Sequence, residues 1–287
     1  MSRILAVGIA TLDIVSEVDA HPGEDDEVRA LARRIQCGGN AANTLIVLAQ
    51  LGHRCALAAT LADHPCTAPL REALARHRID TSPCVTVPGA LPPVSCVTLN
   101  RRRGGRSIVH HRALREYGHQ DFQRVDPAGW DWLHFEGRNV EALAHMLDRA
   151  RRAGARVSLE LEKPRPGLDA LVPRADVLLC SRRYALAAGR RRPEDFLAAL
   201  APRLAPGARA YLAWGEAGAW AHTAGGGILH APAWRPPRVV DSLGAGDCFN
   251  AGVIHGELMG LAPEAILRDA CRLAGRKCGQ AGLEGLA

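Results

Sequence analysis

Short apolar runs alternate with longer amphipathic stretches along this chain, and the two periods predict its elements. Ile4 to Val7 is an uninterrupted apolar run closed by Gly8, the pattern of a central strand. Ile14 to Val18 alternates apolar and polar positions, as a half-exposed strand does. Glu27 to Ile35 reads as a second exposed strand, after a turn over His21 to Asp26. From Ala41 to Leu51 the period becomes helical, with Leu45, Leu48 and Ala49 on one face and Gly52 as the stop. Cys55 to Leu61 predicts a strand and Ala68 to His77 a helix. Val94 to Leu99 and Ser107 to His111 predict two strands joined by a turn over Arg101 to Arg106.

Strand and helix alternate from residue 130 onward. Strands are expected over Trp130 to Phe135, Arg156 to Leu161, Ala175 to Leu179 and Ala208 to Trp214. Helices are expected over Glu141 to Ala153, Tyr184 to Ala188 and Glu194 to Leu204. Ala219 to His222 and Ile228 to Ala231 pair around Gly225 to Gly227, and two helices follow, from about Ala245 to Gly260 and Pro263 to Gly279. This order predicts an α/β fold, a mostly parallel central sheet with helices on both faces. The exposed strands within roughly 13–35 and 92–113 need partners, because a two-stranded ribbon alone is marginal. They are expected to form a small β-sheet standing off the main body as a lid; the alternative is that they are ordinary strands of the main sheet.

At 287 residues the chain fits a single domain, 1–287, with that lid as an appendage. No apolar run approaches the length of a membrane span, and the N-terminus reads as a strand without a signal-peptide pattern, so no membrane association and a cytoplasmic location are expected. Nine cysteines lie scattered without a C-x-x-C pair, which points to free thiols and not to a disulfide frame or zinc site. All but two of the 36 basic residues are arginine, giving a net charge of +6. They are dispersed, and aromatic residues make up only 4% of the chain, so the stacking platforms of a nucleic-acid binder are missing. A modest attraction for anionic substrates remains.

The candidate chemistry is concentrated in Asp241-Ser242-Leu243-Gly244-Ala245-Gly246-Asp247-Cys248-Phe249-Asn250. Gly244 and Gly246 flank Ala245 where a strand gives way to a helix, so backbone N–H groups and the helix dipole converge on a site suited to a phosphoryl group. A carboxylate at that mouth, Asp247, is placed to take a proton from an attacking hydroxyl. An aspartate has an unperturbed pKa of about 3.9, so Asp247 is expected to be ionised at neutral pH. The alternative is a glycine turn with a capping aspartate. Far upstream, Gly38-Gly39-Asn40-Ala41-Ala42-Asn43 opens a helix with two amides on its first turn. Asn40 is explained as a cap, whereas Asn43 is not favoured by helix propensity, and such amides suit sugar hydroxyls. Asp13, near a strand end, is either a turn residue or part of a ligand site.

These two motifs, in this order, resemble the ribokinase-like (PfkB-type) carbohydrate kinase family. Glu136-Gly137-Arg138-Asn139, Glu160-Leu161-Glu162-Lys163-Pro164-Arg165, Ala213-Trp214, Pro236 to Asp241 and Arg276-Lys277-Cys278-Gly279 resemble its ketohexokinase (fructokinase) branch. The resemblance implies an ATP-dependent sugar kinase that phosphorylates D-fructose at the C1 hydroxyl. The alternatives are a kinase for another sugar, sugar derivative or nucleoside, or a catalytically silent sugar or nucleotide sensor. It further implies Asp247 as base, Gly244, Ala245 and Gly246 as anion hole, and Arg106 on the lid turn meeting sugar or phosphate. Asp13, Gly39, Asn40 and Asn43 would grip the sugar; Glu216, Gly218 and Cys271 would lie near the nucleotide. ATP with Mg²⁺, a monovalent cation such as K⁺ and a homodimer joined through the lid complete the implied picture. Where many family members carry Asn-x-x-Glu, this chain has Ser181-Arg182-Arg183-Tyr184, which leaves the metal-positioning residues unassigned. His110-His111-Arg112 and Gly105 in the lid depart from animal ketohexokinases and leave the sugar open, a basic lid suiting a more anionic one.

Overall fold

The structure, a computed structural model, describes residues 1–102, 104–223 and 225–286. Its strands in the first half are β1 (Arg3–Val7), β2 (Thr11–Val18), β3 (Ala32–Gly38), β4 (Arg54–Ala58), β5 (Thr60–Asp63), β6 (Val85–Pro88), β7 (Val94–Asn100) and β8 (Arg106–His111). The helices there are α1 (Asn40–Gln50), α2 (Ala68–Arg76) and α3 (His119–Phe122). The second half adds β9 (Trp132–Glu136), α4 (Val140–Arg152), β10 (Arg156–Leu161), β11 (Val177–Ser181), α5 (Arg182–Ala187) and α6 (Pro193–Leu200). It ends with β12 (Arg209–Ala213), β13 (Ala219–His222), β14 (Ile228–Ala231), α7 (Ala245–Leu258) and α8 (Pro263–Cys278).

Eight strands form the central sheet in the order β14-β13-β12-β11-β10-β9-β1-β4. The six from β12 to β4 run parallel, and β13 and β14 close one edge antiparallel. Side chains on a strand alternate between faces, so a strand buried on both sides reads as a continuous apolar run. Ile4 and Ala6 pack into one core with α1, α7 and α8. Leu5 and Val7 pack into another with α4, α5 and α6. Val177 and Leu179 against Leu178 and Cys180 repeat the division.

The orientation of α7 decides where its first turn lies. Near its C-terminal end, the buried Glu257 accepts from Tyr211 Oη at 2.6 Å and from Arg209 Nη1 at 3.0 Å to each carboxylate oxygen, and it also pairs with Arg156. Arg156 and Arg209 begin β10 and β12. The C-terminal end of α7 is therefore tied to the N-terminal end of the strands. Fourteen residues of helix at about 1.5 Å each match the length of these strands, so the first turn of α7 reaches their C-terminal ends, where open parallel sheets place ligands.

A separate four-stranded sheet has the order β3-β2-β7-β8, with β2 and β7 parallel and the outer pairs antiparallel. The strands expected within 13–35 and 92–113 thus make their own sheet and are not part of the main one. The strand expected over Glu27 to Ile35 lies later, at Ala32–Gly38, because its register is set by Thr11 pairing with Gly38 and Glu17 with Ala32. Arg103, assigned to the hairpin turn, lies outside the described residues. Cys55 to Leu61 is not one strand. The chain leaves the main sheet at Ala58, and Thr60–Asp63 pairs with Val85–Pro88, which the apolar pattern did not reveal because both pieces are buried. The helix expected over Glu194 to Leu204 ends at Leu200 and gives way to a 3-10 turn, since Pro202 has no N–H to continue it.

Candidate active site

The ends of β1, β9 and β10, the first turns of α1 and α7, and the four-stranded sheet bring the residues expected at the sugar and the glycine turn together. Asn43 Nδ2 donates to Asp247 Oδ2 at 2.7 Å, joining segments 204 positions apart. Asn43 Oδ1 is buried and has no hydrogen-bond partner among the described residues. One turn earlier, Asn40 Nδ2 donates to Glu160 Oε1 at 3.1 Å and Glu162 Oε2 at 3.3 Å. Asn250 Nδ2, on the face of α7 that carries Asp247, also donates to Glu160 Oε1, at 3.0 Å. The second oxygen, Glu160 Oε2, is buried without a partner among the described residues.

The backbone makes room for this. Gly39 caps α1 at φ +96°, and a Cβ there would stand 2.4 Å from the Ile9 carbonyl. Gly244 caps α7 in the left-handed region, at φ +85°, beside Asn43 and Asp247. Asp13 lies against Gly38 and accepts from Thr11 Oγ1 at 2.8 Å. From the small sheet, Arg106 Nη1 donates to Ser242 Oγ at 2.8 Å and to Ser242 O at 3.3 Å, just before the glycine turn. The loop leading there is fixed by Asp241, which pairs with the buried Lys277 at 3.1 Å and with Arg34 at 2.8 Å and accepts from Leu243 N–H.

A model of the pfkB family carbohydrate kinases matches residues 1–285. The chain belongs to the pfkB family of carbohydrate kinases. This kinase is 38% identical to mouse ketohexokinase over 99% of its own length and 98% of the relative's. Adenosine kinase from Sinorhizobium meliloti superposes with a TM-score of 0.84, at 22% identity, over 100% of this chain and 96% of that one. Arabidopsis thaliana ribokinase complexed with ribose and ATP gives 0.78, at 18% identity, over 98% and 94%. The family sets the enzyme class: an ATP-dependent phosphotransferase with an alcohol group as acceptor.

Glu216, Gly218 and Cys271 form another group in this pfkB kinase. Gly218 packs on the Ala231 carbonyl, 2.1 Å from where a Cβ would stand, and Cys271 Sγ lies 3.8 Å from the same oxygen. Cys271 belongs to the core on the α7 side of the sheet, and Glu216 is exposed on the turn between β12 and β13. An open cleft of about 640 Å³ lined by Arg182, Leu186, Gly189, Arg191 and Trp214 contains none of the expected residues.

Glu136, Glu160, Asp241, Lys277 and Asn250 stand in the motifs of the sequence but carry no assigned role there. Asn250 follows Asp247 by three residues and so shares its helical face, a spacing that signals it. Glu136 Oε2 accepts from Ile9 N–H at 2.8 Å, and Arg138 stands 3.7 Å from Glu136.

The carboxylates change one expectation. Burial, and then neighbouring carboxylates, push Glu160 well above the usual range. Burial does the same to Asp247, with Glu162, Glu136 and Asp13 adding to it against the Asn43 hydrogen bond. Glu136 rises to about 7 through burial. The pKa of Asp247 in this site therefore lies above the reference value of an aspartate. An acid whose folded pKa is raised binds more protons folded than unfolded, so stability falls as pH rises from its unfolded value toward the folded one. Glu160→Gln keeps an acceptor for Asn40 and Asn250 and removes one buried charge. Its Tm is expected to exceed that of the parent at pH 8 and to merge with it near pH 4, as followed by calorimetry across that range.

Proposed function

We propose that this pfkB kinase transfers the terminal phosphoryl group of ATP to the C1 hydroxyl of D-fructose, giving fructose 1-phosphate. The observation that carries the reading is the 2.7 Å contact of Asn43 with Asp247, beside the unpartnered Asn43 Oδ1. It supports one pocket in which an amide holds a sugar hydroxyl and a carboxylate receives its proton. The 38% identity to mouse ketohexokinase supports fructose as the acceptor.

In this mechanism Asp13, Gly39, Asn40 and Asn43 hold the sugar. The hydroxyl oxygen attacks the terminal phosphorus, its proton passes to Asp247, the bond to the bridging oxygen breaks and ADP leaves. The N–H groups at Gly244, Ala245 and Gly246, with Arg106, stabilise charge on the phosphoryl oxygens. The burial that raises the pKa of Asp247 also makes its carboxylate the stronger base toward the sugar hydroxyl. The described residues contain no group of three side chains poised to hold a metal ion. Mg²⁺ would be bound chiefly by phosphate oxygens and water, with the buried, unpartnered Glu160 Oε2 as the protein oxygen that would hold it, and the ion would neutralise phosphate charge. Glu216, Gly218 and Cys271 lie near the nucleotide. Exchanging K⁺ for Na⁺ in the assay tests the monovalent cation.

Three cations flanking the pocket, Arg138, Arg112 and Lys163, face carboxylates. Arg138 pairs with Glu116 at 2.6 Å and Arg112 with Glu116 at 3.3 Å, while Lys163 lies 3.3 Å from Glu162. This favours a neutral sugar over the anionic one that a basic lid would suggest. The four-stranded sheet acts as the lid of a single domain, 1–287. Its outer side carries a row across the strands, Ile35-Ile14-Cys96-Val109, in which Ile35 and Val109 are 48% and 74% exposed. An exposed apolar row of this kind supports a homodimer joined through the lids. Among the described residues no helix is long and apolar enough to cross a membrane. A cytoplasmic location belongs to the proposed reading.

The test is ADP release with D-fructose, D-tagatose, D-ribose, adenosine and fructose 6-phosphate, with the product assigned by NMR. Fructose is expected to give the highest kcat/KM, with phosphate on C1. Preference for adenosine or for the sugar phosphate would replace this reading. Binding without turnover of any of them would favour a sensor.

A further inference from the structure

We infer that Lys277 is a positioning residue for phosphoryl transfer, a buried ammonium that holds the glycine turn in place from behind. The role rests on the sugar-kinase reading above. Lys277 is one of only two lysines among the 36 basic residues, and its side chain is 1% exposed. Its Nζ donates to the carbonyl oxygens of Asp241 at 2.9 Å and Gln280 at 3.2 Å, and stands 3.1 Å from Asp241 Oδ2. Three oxygens on two segments match the three N–H donors of an ammonium. A compact ammonium suits such a cage better than the planar fork of a guanidinium.

The two segments that Lys277 joins flank the turn. Asp241 leads into it, and its Oδ1 accepts from Leu243 N–H at 2.8 Å, one residue before Gly244 at φ +85°. The chain after Gln280 returns behind it, and a Cβ on Gly244 would stand 3.3 Å from Leu283 Cδ2. That tail is tied to α1, since Gln50 Nε2 donates to Leu283 O at 2.8 Å and Leu286 N–H donates to Gln50 Oε1 at 3.2 Å. From the lid, Arg34 reaches Asp241 Oδ2 at 2.8 Å and Arg106 reaches Ser242. Lys277 is thus the fixed post against which two lid arginines bear. Its charge is also felt at Cys248, beside Asp247 on the first turn of α7. Without the ammonium, Asp241 keeps only the partly exposed Arg34 as a cation among the described residues. The turn then loses the link between its entry and the tail, and the N–H groups at Gly244 to Gly246 lose their aim at the phosphoryl oxygens. Val240 and Asp241 N–H still donate to the Cys278 carbonyl, at 2.8 and 3.3 Å, so the fold should survive.

The experiment measures kcat, the sugar KM and Tm for Lys277→Met, the Lys277→Met/Asp241→Asn pair, and Lys277→Ala with and without ethylammonium at constant K⁺. The assay uses D-fructose, or the panel sugar that the parent enzyme turns over fastest. Lys277→Met keeps the length of the side chain and removes its charge. It is expected to lower kcat about 10- to 100-fold, the scale of a site displaced by up to about an ångström. The sugar KM should stay within about twofold, because the lost interaction acts on the transferring group. Removing both charges leaves no buried carboxylate short of a cation, so the pair is expected to have a higher Tm than Lys277→Met, with kcat no higher. Ethylammonium is expected to raise kcat in Lys277→Ala and not in Lys277→Met, since only alanine leaves room in the cage. Parental kcat in Lys277→Met, a pair that regains kcat together with Tm, a loss confined to the sugar KM, or no response of Lys277→Ala to ethylammonium would each overturn the role. If Lys277→Met does not fold, the pair and Lys277→Ala carry the same comparison with the parent. Turnover of another sugar but not fructose removes only the fructose reading, and turnover of no panel member removes that reading and this role.

Discussion

Replacing Asp247 with asparagine is expected to lower kcat by about 10²–10⁴-fold, the usual contribution of a general base. The substitution preserves shape and leaves Asn43 Nδ2 an oxygen to donate to, at the position where it now bonds at 2.7 Å. The protein should therefore fold, and its Tm should be at least that of the parent at neutral pH. That sign follows from the raised pKa: burial makes the charged carboxylate unfavourable in the ligand-free site, and asparagine removes the charge. The ATP KM should stay within about twofold, because the lost interaction belongs to the transition state and not to nucleotide binding. A loss of kcat without loss of Tm separates the proton-accepting role from that of a capping aspartate, whose removal would shorten α7 and lower Tm. Near-parental turnover would take the base assignment away.

How much of this was legible in the sequence depended on which force set each feature. The central strands were read well, because burial on both faces leaves no polar alternation and Val177 to Cys180 or Ile4 to Val7 must be apolar throughout. The break at Ala59 was invisible for the same reason, since both flanking pieces are buried. Register escaped the reading as well: nothing in Glu27 to Gly38 says that pairing starts at Ala32, which depends on Thr11 finding Gly38. In the site, the motifs marked Asn43 and Asp247 through glycines and misplaced polar residues, and the structure joins them. Glu160 was quoted without a role because its importance comes from receiving Asn40 and Asn250 at once, a convergence across 120 and 90 positions. The reference pKa assigned to Asp247 carries no account of burial beside Glu136 and Glu162, which pushes it upward.

Arg106→Ala is expected to lower kcat/KM by about 10²–10³-fold, the loss typical of removing one charge-stabilising donor. Arg106 opens β8 and is exposed, so truncation should leave Tm nearly unchanged. Two roles compete for it. In one, the guanidinium only fastens the lid: Nη1 donates to Ser242, and Ser242 Oγ donates in turn to the Gly104 carbonyl at 3.2 Å. In the other, its remaining N–H donors face the phosphoryl group as it passes above Gly244 to Gly246. Ser242→Ala separates them, because it removes the side-chain part of the clasp and keeps the guanidinium. If fastening were the whole role, Ser242→Ala would match Arg106→Ala. If charge stabilisation dominates, Ser242→Ala should cost no more than about tenfold, the scale of one hydrogen bond. Arg106→Lys should then fall between the two, since an ammonium supplies the charge and not the planar fork. The loss should also appear mainly in kcat, because the charge that Arg106 stabilises grows as the phosphoryl group transfers. A loss confined to the sugar KM would assign Arg106 to sugar binding instead.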